Sequence, residues 1–208
     1  MWDDRYSEDE YVYGIEPNDY LKETFPSLNL PSSAKILFLA EGEGRNAVWT
    51  AAHDSAYHVK GIDLSSVGLL KAQKLAKERN VRIETEVADM AQYDFGQDEW
   101  DLIVGIYCHL PPPIRTRVLE AIPKALRDGG YFLLECYTPD QLQYKTGGPP
   151  VSALMYSKEI LQKAFEGTPV QTERNEELVR EVVEGKYHNG QAAVVQFLGR
   201  KNTEVEDL

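Results

Sequence analysis

The chain has 208 residues, of which 42% are hydrophobic and 27% charged, a balance typical of one globular domain with a sizeable core. Its net charge of −12 is not interrupted by any cluster of lysine and arginine, which excludes nucleic acid as an expected partner. No apolar run approaches the ~20 residues of a membrane span, and the acidic first ten residues lack the apolar core of a signal peptide, so we expect a cytoplasmic protein that does not bind membranes.

Residues 1–30 are unusually rich in aromatic side chains, among them Tyr6, Tyr11 and Tyr13. Large rings gain free energy by burial, so we expect this segment to be an ordered cover packed on the domain that follows. Its first 25 residues are predicted to form a lid over the ligand site. Packing into the core is the alternative, about equally favoured.

A buried strand, Ile36 to Ala40, runs into a glycine turn, Glu41 to Gly44, after which apolar residues recur at helical spacing. Such a strand–turn–helix brings backbone close to a nucleotide-like ligand, and the glycines leave no Cβ in the ligand's way. An ordinary tight turn is the alternative. The stretch also satisfies the dinucleotide fingerprint G-x-G-x-x-A.

Polar groups follow the next three predicted strands. Asp63 ends the strand from His58, Asp89 follows the strand from Val81 to Val87, and Tyr107 and His109 follow the strand from Trp100. Asp63 stands at the interval at which an acid meets ribose hydroxyls, although a helix-capping role, shared with Ser65 or Ser66, is the alternative. In a parallel sheet these strand ends meet at one edge, which predicts one ligand site there.

The second half of the chain continues the alternation and then changes. A helix from Arg115 to Leu126, stopped by Asp128-Gly129-Gly130, leads to a strand from Tyr131 to Tyr137. The loop from Thr138 to Val151 is predicted to lie over the site. Two strands, Glu177 to Val183 and Gln191 to Leu198, form a closing hairpin. The tail 201–208 is expected to be disordered.

Acids after successive strands suit a nucleoside joined to a cationic group better than a pyrophosphate. With these motifs, residues 34–200 resemble class I S-adenosylmethionine-dependent methyltransferases. The resemblance rests on Leu-Ala-Glu-Gly-Glu-Gly-Arg-Asn46, Ile-Asp63-Leu-Ser, Ala-Asp89-Met, Trp-Asp-Leu-Ile-Val104 and Leu-Arg-Asp-Gly-Gly-Tyr-Phe-Leu-Leu134, and Gly44-Arg45-Asn46 is similar to the tellurite-resistance and thiopurine subgroup. It implies an α/β fold, a doubly wound seven-stranded, mostly parallel sheet with an antiparallel C-terminal hairpin, in a domain of residues 31–200.

The resemblance implies S-adenosylmethionine as cofactor and S-adenosylhomocysteine as product. Asp63 would accept hydrogen bonds from the ribose hydroxyls, Asp89 would accept one from the adenine amino group, and Arg45 would approach the methionine carboxylate. The family usually reads Asp-x-Gly-x-Gly-x-Gly where this chain has Phe38-x-Ala40-x-Gly42-x-Gly44, so Glu41 or Glu43 is the candidate replacement for the missing acid. The residues expected at the cofactor are Glu41, Gly42, Glu43, Gly44, Arg45, Asn46, Asp63, Leu64, Ala88, Asp89, Met90, Ile106 and Tyr107.

The expected activity is methyl transfer to a small-molecule acceptor by in-line displacement. His109 is the candidate general base if the acceptor carries a proton, with a purely structural histidine as the alternative; His188, in the far hairpin, is the weaker candidate to line the site. Residues expected at the acceptor or in the lid are Tyr6, Tyr11, Tyr13 and Tyr137.

A nicotinamide-dependent oxidoreductase and a non-catalytic S-adenosylmethionine-binding protein are the competing functions. The two cysteines, Cys108 and Cys136, are too few for a disulfide framework or a zinc site and are expected to be buried free thiols, so the sequence predicts no metal.

Overall fold

The computed structural model describes residues 2–186 and 188–202. Within these residues, seven strands form a single sheet in the order β3-β2-β1-β4-β5-β7-β6. The strands from β3 to β5 in this order are parallel, and β7 pairs antiparallel with both β5 and β6. The strands are β1 Lys35–Leu39, β2 His58–Asp63, β3 Glu84–Val87, β4 Trp100–Ile106, β5 Leu126–Tyr137, β6 Val170–Glu184 and β7 His188–Lys201. The predicted fold class is confirmed.

Three of the helices are capped at their N-terminal ends by side chains with hydroxyl or amide oxygens. Asn18 accepts a hydrogen bond from the Leu21 N–H, Ser65 from the Gly68 N–H and Ser157 from the Ile160 N–H, which satisfies donors that lack a partner inside the helix. The helices are α1 Trp2–Tyr6, α2 Asp19–Thr24, α3 Arg45–Ala51, α4 Ser66–Glu78, α5 Pro112–Ala125 and α6 Lys158–Phe165.

The sheet is covered by helices on both faces, as a doubly wound fold requires. Buried side chains of α5 and α6, such as Ile122 and Phe165, pack on one face against Phe132. Buried side chains of α2, α3 and α4 pack on the other face, with Leu75 of α4 against the β1 residue Phe38. The carboxyl ends of the parallel strands are left open between these layers.

The C-terminal strands are longer than the sequence predicts. Helix α5 ends at Ala125, and β5 begins at once with Leu126, so Asp128-Gly129-Gly130 belongs to the strand rather than to a helix stop. Strand β7 continues through Lys201, which is buried with Nζ 2.7 Å from Asp98 Oδ1 and 2.8 Å from Leu126 O. The expected disordered tail therefore does not include Lys201, and residues 203–208 lie outside the described residues.

The aromatic cover divides into two parts. Tyr20 and Phe25 are 1% and 4% exposed and belong to the core beside Leu21, so for this half the core-packing alternative is correct. Residues 2–13, hereafter the N-terminal segment, lie instead at the carboxyl edge of the sheet, where α1 contacts α4. In the described part of the chain, no helix is long and apolar enough to cross a membrane.

Candidate cofactor and acceptor site

A cavity of about 1040 Å³ lies at the carboxyl edge of the parallel strands. Such a volume is at the upper end of the range for small-molecule sites. Thirteen of the predicted site residues line it: Tyr6, Tyr13, Glu41, Glu43, Arg45, Asn46, Asp63, Leu64, Asp89, Met90, Ile106, Tyr107 and His109. The others, Gly42, Gly44, Tyr11, Ala88 and Tyr137, are not part of its wall.

The glycine turn is left-handed at three positions, with φ of 50° at Ala40, 59° at Gly42 and 88° at Gly44. A Cβ on Gly42 would lie 2.6 Å from the Tyr6 hydroxyl, and one on Gly44 would lie 2.5 Å from the Ala72 Cβ on α4. These glycines clear space for the N-terminal segment and for α4. That these glycines also clear space for a ligand stays a prediction.

Glu41 and Glu43, the candidates for the missing motif acid, both have internal partners. Glu41 Oε1 accepts a hydrogen bond of 2.7 Å from the Ala47 N–H at the start of α3, and burial raises its pKa to about 8. Glu43 Oε2 accepts one of 2.8 Å from the Val12 N–H, and Glu43 Oε1 lies 2.5 Å from Lys71 Nζ. Glu41 thus stabilises the turn, and Glu43 holds the N-terminal segment.

Asp63 fixes the turn at the end of β2. Its carboxylate accepts hydrogen bonds of 2.9 Å from the Gly42 N–H and 2.8 Å from the Ser65 N–H, and it is 6% exposed, so burial raises its pKa. Helix α4 is capped by Ser65 rather than by Asp63. Beside Asp63, the apolar Leu64 side chain is 56% exposed in the cavity wall.

Asp89, after β3, presents an exposed carboxylate to the cavity, with Oδ1 2.9 Å from the Ala91 N–H. Next to it Met90 is 4% exposed and also lines the wall. An apolar surface at Leu64 and Met90 between two carboxylates matches a flat ring that carries polar groups at both ends.

Tyr107, directly after β4, has a φ of 51°, a strained conformation for an aromatic residue. Its hydroxyl donates to Glu135 Oε1 at 3.2 Å. His109, two residues on, has Nδ1 3.1 Å from Leu154 O and Nε2 3.5 Å from the Tyr137 N–H, and burial lowers its pKa to about 4. Both ring nitrogens face backbone groups and the ring is neutral, which favours the structural alternative for His109.

A buried group of charged side chains beneath the cavity was not predicted. Arg45 Nη2 lies 2.5 Å from Glu184 Oε2, Arg180 Nη2 lies 2.7 Å from Glu135 Oε1, and the Asn18 amide donates to both carboxylates. We call these five residues the acid–arginine cluster. The one sequence signal for it is Glu135, a charged residue inside an apolar strand.

The part of the cavity wall around His188 is formed by segments far apart in sequence. His188, at the start of β7, lines it with its ring centroid 4.6 Å from that of Tyr13 and 4.4 Å from that of Tyr107. The loop between β5 and α6 contributes Gln141, Leu142 and residues 145–150, as its predicted position over the site requires. Tyr137 packs behind Tyr107, with ring centroids 4.7 Å apart, and is fully buried.

The N-terminal segment is held against α4 by several hydrogen bonds, among them that of Asp3 Oδ1 with Ser65 Oγ and those of Lys71. Lys71 Nζ donates to the carbonyl oxygens of Glu8 at 2.8 Å and Glu10 at 2.6 Å, and lies over the ring of Tyr11. The Val12 carbonyl accepts from the Lys186 N–H of the hairpin at 3.0 Å. The segment therefore spans the cavity from α4 to the β6–β7 turn.

Comparison with known proteins finds similarity to methyltransferases. Residues 36–130 match the family model described as a methyltransferase domain. Phosphoethanolamine N-methyltransferase 2 from Caenorhabditis elegans is 32% identical over 87 residues, which are 41% of this chain and 20% of the worm enzyme. The chain thus matches one fifth of that relative's length.

Solved structures share the fold over most of the chain. One, reported for the conversion of a disulfide bond into a thioacetal group during echinomycin biosynthesis, has a TM-score of 0.76 at 16% identity and covers 99% of this chain and 92% of that one. A SAM-dependent methyltransferase from Methanosarcina mazei has a TM-score of 0.68 at 16% identity and covers 86% and 98%. Residues 36–130 therefore match a methyltransferase domain, and the chain shares the fold of class I S-adenosylmethionine-dependent methyltransferases.

Proposed function

We propose that this protein is a cytoplasmic methyltransferase that uses residues 31–200 to transfer a methyl group from S-adenosylmethionine to a small-molecule acceptor, with the N-terminal segment as a lid. The observation that carries the proposal is the single cavity, in which the ends of β1, β2, β3 and β4 meet the N-terminal segment and the loop after β5. One enclosed space for cofactor and acceptor is what methyl transfer needs, because donor and acceptor must be aligned and water excluded.

In this proposal the cofactor lies along the strand ends. Asp63 accepts hydrogen bonds from the ribose hydroxyls, Asp89 accepts from the adenine amino group, and the exposed Leu64 packs on the adenine ring. The methionine end lies against the backbone after Ala40 and at Ile106. Arg45, which the sequence predicts beside the methionine carboxylate, lines the cavity but is paired with Glu184. Support comes from burial and charge: these carboxylates line the cavity, while Leu64 is an apolar side chain that gains by being covered.

A small-molecule acceptor is favoured by the shape and charge of the site. Residues 2–13 and the loop at 141–150 both contribute to the wall of the cavity, which favours a small molecule over a polymer as acceptor. The net charge of −12 opposes a polyanion.

The transferred methyl group leaves a sulfonium, which becomes neutral, so the chain's contribution is alignment of the two reactants rather than stabilisation of a new anion. A base is needed only for an acceptor that is protonated at neutral pH. His109 remains our candidate base from the sequence, although its position between Leu154 O and the Tyr137 N–H suits a positioning role better.

A non-catalytic S-adenosylmethionine-binding protein is the second candidate. It is favoured by Ala40, which puts a methyl group in a left-handed turn where the family has glycine, and by the engaged nitrogens of His109. The nicotinamide-dependent alternative is not favoured, because residues 36–130 match a methyltransferase family.

Calorimetry followed by a transfer assay tests the proposal. We expect the protein to bind S-adenosylmethionine and S-adenosylhomocysteine but not NADH. With cofactor labelled in the methyl group, a screen of alcohols, thiols, amines and metalloid oxyanions is expected to give a labelled product. Cofactor binding without any transfer would favour the non-catalytic candidate, and absence of cofactor binding would refute both.

A further inference from the structure

His188 is a buried polar side chain of the cavity wall with unused hydrogen-bonding capacity. The residue is 7% exposed and lines the cavity, yet its Nδ1 has no hydrogen-bond partner within residues 2–186 and 188–202. An unpartnered buried polar atom costs about 1–3 kcal/mol. A bound molecule that supplies the missing partner would remove that cost.

The walls around His188 are aromatic. Tyr13 lies on one side with a ring-to-ring angle of 47°, and Tyr107 lies edge-on at 70°. The Tyr13 hydroxyl accepts a hydrogen bond of 2.9 Å from Arg5 Nη1, and the Tyr107 hydroxyl donates to Glu135. Both phenol groups thus have partners, and the ring surfaces are left to contact a ligand.

The charged groups of the acid–arginine cluster, two of which act on His188, are paired with one another. Within the acid–arginine cluster, Glu184 pairs with Arg45 and with Arg180, and Glu135 pairs with Arg180 and also accepts from Gln196 Nε2 at 2.6 Å. Two carboxylates thus offset two guanidinium groups. A cationic acceptor finds no spare carboxylate in the cluster, and an anionic acceptor finds no spare guanidinium.

The imidazole itself is uncharged at neutral pH. Burial first, and then the positive charge of Arg45, lower the pKa of His188 well below its usual range. A neutral imidazole offers one N–H donor and one acceptor nitrogen, which suits a hydroxyl group.

We propose that His188 binds the methyl acceptor, and that its partner is an uncharged polar group, such as a hydroxyl, on a molecule whose ring packs against Tyr13 and Tyr107. The inference rests on the proposed function, since it assigns the chemistry of the acceptor in the same cavity. It makes His188 an acceptor-binding residue and assigns it no proton transfer.

The test uses three ring compounds of similar size and different charge: benzyl alcohol, benzylamine and benzoate. Binding to the full chain saturated with S-adenosylhomocysteine is followed by ligand-observed NMR. We expect benzyl alcohol to bind more tightly than benzylammonium and benzoate. In His188→Phe, which keeps a ring and removes both nitrogens, benzyl alcohol is expected to bind at least tenfold more weakly, with partial recovery in His188→Asn.

His58→Phe is the matched control, because His58 is exposed at the first residue of β2 and does not line the cavity. S-adenosylhomocysteine affinity is expected to be unchanged in His58→Phe and His188→Phe. Failure of the wild-type protein to bind S-adenosylhomocysteine would refute the proposed function. If the cofactor product binds normally but benzyl alcohol does not bind, binds equally to His188→Phe, or binds more weakly than either charged probe, the inference about His188 is wrong.

Discussion

At the scale of single residues, Asp63 has an observed role in the turn and a proposed role at the ribose, and one substitution removes both. Asp63→Ala removes the acceptor of the Gly42 and Ser65 N–H groups as well as the proposed ribose contact. We expect S-adenosylhomocysteine to bind roughly 10–100-fold more weakly, as loss of hydrogen bonds to a charged group of about 1.5–3 kcal/mol implies. The melting temperature should also fall, because two buried N–H groups lose their partner.

Calorimetry and thermal unfolding of Asp94→Ala provide the control for that experiment. Asp94 also accepts a hydrogen bond in a turn, from the Gly96 N–H at 3.0 Å, but is exposed and does not line the cavity. Its replacement should leave cofactor affinity unchanged. Equal affinity in Asp63→Ala and the wild type would remove Asp63 from the cofactor site.

Ala40 stores backbone strain at the start of the glycine turn. A φ of 50° costs alanine about 1–2 kcal/mol of conformational free energy that glycine would not lose. This difference is partly offset because glycine is more flexible in the unfolded chain. Ala40→Gly should therefore raise the melting temperature by about 1–4 °C without weakening cofactor binding. Ala52→Gly, an exposed position with a φ of −77°, should lower it. A lower melting temperature in Ala40→Gly would show that the turn is not strained at this residue.

At the scale of elements, Lys71 of helix α4 contributes to holding the N-terminal segment, our proposed lid. Lys71→Met removes the donor to the Glu8 and Glu10 carbonyls and leaves Glu43, 4% exposed, without its cation. We expect faster amide exchange in residues 2–13 and a lower rate of methyl transfer, because an open segment admits water to the cavity.

Lys74→Met, one turn along the same helix, is the comparison for this variant. The Lys74 side chain is 66% exposed and its ion pair with Glu78 is long, at 4.0 Å. Exchange in residues 2–13 and methyl transfer should both match the wild type. If Lys71→Met leaves the exchange of residues 2–13 unchanged, the segment is held by packing and does not act as a lid.

Local sequence patterns predicted the elements that bury continuous apolar runs, and missed features that depend on distant neighbours. The strand from Ile36 and the position of Asp63 at a strand end can be predicted from the residues alone. The acid–arginine cluster joins α2, α3, β5 and β6, and no local spacing brings Asn18, Glu135 and Glu184 together. The edge strand β6 was predicted too short, because its charged side chains obscure the alternation.

The sequence also could not show why glycine is required at each of these positions. A glycine at position 44 predicts a turn, but only the fold shows that α4 approaches it, with Ala72 Cα 2.7 Å from where a Cβ would lie. The second strand-end acid, Asp89, was placed correctly at the cavity because it depends only on the parallel order of the sheet.

At the scale of the whole molecule, Glu41 gives the stability of the fold a pH dependence. Burial raises its pKa to about 8 in the folded state, whereas the pKa of an unfolded glutamate is about 4.3. Between these values the folded state holds a proton that the unfolded state has lost, so the free energy of unfolding decreases as the pH rises. Glu41→Gln stays neutral and still accepts from the Ala47 N–H.

We therefore expect the two proteins to melt at similar temperatures at pH 5, and Glu41→Gln to melt at least about 3 °C higher at pH 8. Glu120→Gln, on the exposed side of α5, is the control for a change of net charge alone and should follow the wild type. A difference that is the same at both pH values would show that Glu41 is ionised in the fold.

The contact between Tyr6 and the glycine turn also bears on the expected rate of turnover. Tyr6 is 6% exposed and fills the space over Gly42 and Gly68. If the cofactor binds at the strand ends as we propose, we expect S-adenosylhomocysteine to leave only after this ring has moved away. In enzymes with such closures, opening often limits turnover. A rapid first round of methylation followed by a slower steady rate would then reveal that departure of S-adenosylhomocysteine, and not the chemical step, determines how fast the protein works.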